Sequence, residues 1–132
     1  MKFLSALAVG LMLAGSVSAE DVLLNCRIEQ TCDLNLTCSG TTGGDVWILR
    51  YENGDISSVT APIHCGLSTQ LSITDSQVAL ECEEIFTSTA VSIKHYATIN
   101  RISGEYFHSL RSGSGSDGIL HFGQCSVADR QF

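Results

Sequence analysis

Apolar residues in this chain recur with a period of two, and nowhere does a capped i, i+3, i+4, i+7 stripe persist for three helical turns. Short alternating runs are instead punctuated by glycine, asparagine, aspartate and serine, the residues of tight turns. The pattern predicts an all-β domain, a small antiparallel barrel or sandwich of about nine short strands. Its clearest element is a hairpin over residues 46–52 and 55–60 around Asn53-Gly54. A type I′ turn needs positive φ at both central positions, which this dipeptide tolerates best. Pairing about that turn sets Tyr51 opposite Ile56, Ile48 opposite Val59 and Trp47 opposite Thr60, with Trp47, Leu49 and Tyr51 on the core side.

Further strands are expected at residues 22–28, 33–39, 70–74, 77–82 and 91–96, with a turn near Glu29-Gln30-Thr31. The C-terminal third, residues 97–125, reads as a three-stranded meander. A turn at Ser103-Gly104 would place Arg101 against Tyr106 and Ile99 against His108. A second, about Ser114-Gly115, would place Tyr106 against Gly123, Phe107 against Phe122 and His108 against His121. Apolar residues fall on both sides of these strands, so alternation leaves their inward face open.

The chain carries six cysteines: Cys26, Cys32, Cys38, Cys65, Cys82 and Cys125. Their separations of 6, 6, 27, 17 and 43 residues contain no C-x-x-C, which excludes thioredoxin-like, haem-attachment and zinc-ribbon spacings. An even count in an exported chain predicts three disulfides. Fifteen pairings are possible. The preferred guess joins Cys26 to Cys125, Cys32 to Cys38 and Cys65 to Cys82.

Export itself is predicted from the N-terminus. Met1-Lys2, an apolar run from Phe3 to Gly15, and Val17-Ser18-Ala19 have the layout of a secretory leader cleaved after Ala19. Residues 20–132 then form a single domain in the periplasm or outside the cell. Ser16 stands where a lipid-anchored chain would have cysteine after Leu13-Ala14-Gly15, so no membrane anchor is expected. The formal charge of −7 becomes −8 once Lys2 is removed, which disfavours nucleic acid and anionic membrane surfaces as partners.

Candidate chemistry is sparse. His108 facing His121 could contribute two imidazoles to a divalent metal, with an acidic third ligand; packed or solvated histidines are the plainer expectation. His64 beside Cys65 could suggest a thiol nucleophile, but adjacent residues of an extended chain point apart and Cys65 is expected to be oxidised. The acidic run around Cys82 lacks the calcium-loop pattern, and neither G-x-S-x-G nor a phosphate-binding glycine loop occurs. No catalytic residue, metal site or cofactor is therefore assigned.

Ile99-Asn100-Arg101-Ile102-Ser103-Gly104, followed by Gly123-Gln124-Cys125, resembles a pattern in small exported bacterial proteins of unknown function, I-D-R-x-[ST]-G and then G-x-C. Asn100 stands in place of their aspartate. The resemblance implies a bacterial periplasmic location and carries no site. The expectation is a non-catalytic binding protein whose partner is another protein or a small ligand, such as an inhibitor-type module. The alternatives are a small-molecule carrier barrel and a metal-dependent enzyme using the histidine pair.

Overall fold

The hairpin at Asn53-Gly54 forms as its turn chemistry requires, with φ of 54° at Asn53 and 83° at Gly54. The computed structural model describes residues 19–63, 65, 69–115 and 117–128, and within them the chain is all-β. The strands are β1 (Ala19–Asp33), β2 (Cys38–Gly40), β3 (Gly44–Glu52), β4 (Asp55–Thr60), β5 (Gln70–Ile73), β6 (Gln77–Phe86), β7 (Val91–Asn100), β8 (Glu105–Ser112) and β9 (Gly118–Val127). They make one antiparallel sheet in the order β4-β3-β1-β9-β8-β7-β6-β5, with β2 added to β1. The leader expected over residues 1–19 lies outside the described residues except for Ala19, where β1 begins.

The sheet curls into a nearly closed barrel, because strands far apart in that order share one core. Trp47 of β3 meets Tyr106 of β8 edge to face at 6.1 Å and packs in the same cluster as Val78, Leu80, Ala97 and Ile99. Trp47 is fully buried, as its place on the core side of the hairpin demands.

All three expected disulfides form: Cys26–Cys125, Cys32–Cys38 and Cys65–Cys82. They suit an oxidising, extracellular-type environment. Among the described residues no helix is long and apolar enough to cross a membrane.

Four local expectations are corrected. The turn near residues 29–31 is a β-bulge: β1 runs straight through, and its register against β9 shifts between Ile28 and Gln30. One extra residue reverses the side-chain alternation beyond it. Cys26 therefore points inward to Cys125, whereas Cys32 points to the opposite face and meets Cys38. The chain turns later, inside the stretch expected to be a strand over residues 33–39, where Asp33 Oδ1 accepts hydrogen bonds from the amides of Asn35 and Thr37 and Leu36 takes a φ of 61°.

A second irregularity, between Arg50 and Tyr51, pairs Leu49 with Val59 and Ile48 with Thr60, so only the Tyr51–Ile56 pair of the expected register survives. Third, residues 91–100 are one strand, with no break at Ala97. Fourth, the turn into β8 spans residues 100–104 and pairs Ile99 with Tyr106 and Ala97 with His108. Asn100 causes this, since its Oδ1 accepts from the amides of Ile102 and Ser103 at 2.9 and 3.0 Å while Gly104 donates back to the Asn100 carbonyl. Arg101 is carried away from Tyr106, and its guanidinium donates to the Thr74 carbonyl.

The resembling segments meet in this turn. Cys125 donates its amide to the Gly104 carbonyl, the Gln124 side chain donates to the Ser103 carbonyl, and Gly104 has a φ of 79° with no room for a Cβ beside Cys125. Gly123 lies so close to β1 that an added Cβ would fall 1.9 Å from the Arg27 carbonyl oxygen. Gly123→Ala is therefore expected to lower stability by about 1–3 kcal/mol, the usual cost of overpacking. Denaturant titration checks this, and an unchanged midpoint would show that β1 and β9 can separate freely there.

Candidate functional site

Strands β7, β8 and β9 each carry a histidine and an aromatic residue side by side: His95-Tyr96, Phe107-His108 and His121-Phe122. Neighbours on a strand point to opposite faces, so the three histidines lie inside the barrel and the three aromatic rings outside. The β8–β9 register holds as expected, with Phe107 opposite Phe122 and His108 opposite His121.

The inner row is a polar strip held by three separate sets of hydrogen bonds. His95 Nδ1 lies 3.2 Å from His108 Nε2, and His95 Nε2 lies 3.2 Å from Glu84 Oε2. A carboxylate only accepts, so His95 donates from Nε2; in the neutral ring Nδ1 then accepts the Nε2 proton of His108. His121 Nδ1 lies 3.1 Å from the Thr31 hydroxyl. Tyr106, beside His108, donates to Asp45 Oδ2 at 2.8 Å. Burial, then the Asp45 charge and that hydrogen bond, push the Tyr106 pKa upward, which keeps the phenol protonated as a donor. Burial foremost, then repulsion from His95, lowers His108 from 6.5 to about 4.

The strip does not converge as a metal centre would. His108 and His121 have ring centroids 5.9 Å apart, but Nε2 of one faces His95 and Nδ1 of the other faces Thr31. Among the described residues no three histidine, cysteine, aspartate or glutamate side chains are grouped to hold an ion. Cys65, oxidised to Cys82, offers no thiolate, and His64 lies outside the described residues.

The outer row is open to solvent. Tyr96 is 41% exposed and Phe107 and Phe122 are half-buried. Tyr96 and Phe107 meet edge to face at 6.3 Å, and Phe107 and Phe122 tilt together at 5.3 Å. A cleft of about 530 Å³ lies along this row, with Gln30, Gln77, Thr98 and Glu105 beside the two phenylalanines. A second, of about 370 Å³, continues past Tyr96 between Gln70, Gln77 and Glu81. Pairing Phe107 with Phe122 was legible in the sequence; that both rings face solvent was not, because Tyr106 and His108 alternate with them as credibly. The repeated histidine–aromatic neighbours were the available signal.

A third cleft, of about 450 Å³, opens at one end of the barrel beneath the 100–104 turn. Leu24, Leu49, Tyr51, Val78 and Ile99 line it, with Arg101 at its edge. No protein-family model, curated protein or solved structure matches the chain.

Proposed function

We propose that this is an exported, periplasmic binding protein without catalytic activity, and that it holds its partner on the outer face of β7, β8 and β9. The observation that carries this reading is the solvent-facing row Tyr96, Phe107 and Phe122, which lies on central strands between two clefts. Aromatic side chains in water are costly to leave bare, and they supply rigid contact area at low entropic cost to a partner. The middle of the barrel is less suited to the task, since Trp47, Tyr106 and the Cys26–Cys125 bridge pack together there. His95 and His108 are buried and engaged with each other, which takes them out of reach of a substrate.

A photo-crosslinking residue at position 96, introduced in the exporting cell, should give a discrete adduct that disappears when Phe122→Asp is added. The same probe at Ser58, on β4, should give none. Equal adducts from both positions, or none from position 96, would rule out this face. A carrier function has one observation in its favour, the cleft of about 450 Å³, whose mixed lining joins Leu24, Leu49, Val78 and Ile99 to Asp75 and Arg101.

A further inference from the structure

Taking the outer face of β7 to β9 as the binding surface, we infer that its ligand is an oligosaccharide chain of neutral or acetamido sugars, lying across the strands. The inference rests on the preceding assignment of the face and adds the chemistry of what it holds.

The surface is built from two kinds of group. Tyr96, Phe107 and Phe122 follow one another across three adjacent strands with centroid separations of 6.3 and 5.3 Å, a spacing of the order of one pyranose unit. The apolar C–H face of a sugar packs on such rings, as aliphatic groups do generally. Around them stand the amides Gln30, Gln70 and Gln77. An amide side chain both donates and accepts, which matches the dual character of a hydroxyl or an acetamido group. The two clefts share Gln77 and run on from each other past Tyr96, so the surface is elongated, as a linear polymer requires.

Other ligand classes fit less well. Neither cleft is lined by lysine or arginine, while Glu29, Glu81 and Glu105 border them, so a polyanion would meet like charge. A peptide's usual mode on a sheet is to add a strand at a free edge. Strands β7, β8 and β9 are each paired on both sides, so they offer no such edge.

The test uses hexameric β-1,4-linked N-acetylglucosamine and β-1,4-linked glucose as probes, with polygalacturonate as an anionic control. Ring resonances of Tyr96, Phe107 and Phe122 should shift saturably with at least one neutral hexasaccharide and not with the polyanion. Tyr96→Ala and, separately, the exposed Gln30→Ala should each weaken that binding, by about tenfold for the ring, or about 1.4 kcal/mol. Their thermal midpoints should match that of the wild-type chain. No ring shift at about 10 mM of either hexasaccharide, well above a millimolar dissociation constant, overturns the inference, as does tighter binding of the polyanion. If the sugars fail while the adduct from position 96 persists, the glycan class falls and the face stands. If both fail, both fall.

Discussion

Removing the Cys26–Cys125 disulfide by a paired change to alanine is expected to lower the unfolding free energy by about 4–5 kcal/mol. The bond closes a sequence separation of 99 residues, the longest loop of the three. In the chain-entropy account a cross-link acts on the unfolded ensemble, so the benefit grows with the logarithm of loop length and does not depend on how well β1 and β9 already pair. The same account gives roughly 2 kcal/mol for Cys32–Cys38, whose partners are 6 residues apart. Against a total stability of about 5–15 kcal/mol for a domain, the first loss leaves little margin. Chemical denaturation of the two paired variants at one pH measures both. A larger loss from Cys32→Ala with Cys38→Ala than from the long-loop pair would contradict the entropic origin.

The second large effect is on pH. His108 has its pKa lowered from 6.5 to about 4 by burial and by the neighbouring His95. Between those values the unfolded chain binds the proton and the folded chain does not, so stability falls as pH falls. The contribution is intact above pH 6.5, is lost progressively down to about pH 4, and is then constant. A shift of this size corresponds to about 3 kcal/mol across the window. The groups that face His108 are His95 from β7, His121 from β9 and Asp45 from β3, with Glu84 of β6 behind His95. Asp45 favours the charged ring and the two histidines oppose it, and burial decides the balance. His108→Gln, which keeps an N–H to offer His95 but cannot titrate, should flatten the slope of stability between pH 6.5 and 4. A wild-type denaturation midpoint that does not fall across this window would sink the account.

The N-terminal hairpin and the C-terminal meander show different degrees of legibility. Asn53-Gly54 specifies its turn by backbone sterics alone, and the Phe107–Phe122 and His108–His121 pairs follow from a loop centred on Ser114-Gly115. Residue spacing misplaces the turn at Asn100, because one side-chain oxygen gathers two amides and lengthens it, a local bond that spacing does not announce. The bulge at Glu29 is hidden from the sequence for a related reason. Its polar residues have the composition of a turn, yet β9 pairs with β1 on both sides of it and keeps it one continuous strand.

Sequence alone therefore determined the fold class, the turn at Asn53-Gly54, the presence of an even set of cysteines and the partners of β8 and β9, because these depend on composition, on alternation or on residues close along the chain. Which cysteines pair was left among fifteen possibilities, and the fold settles it by bringing β1 beside β9. Only the tertiary structure decided which side of β7, β8 and β9 turns inward. Period-two alternation sorts residues into two sets, but both sets here are aromatic and apolar. The choice was made by Trp47, which arrives from β3 and packs against Tyr106. That contact draws the histidines inside and leaves Tyr96, Phe107 and Phe122 facing water.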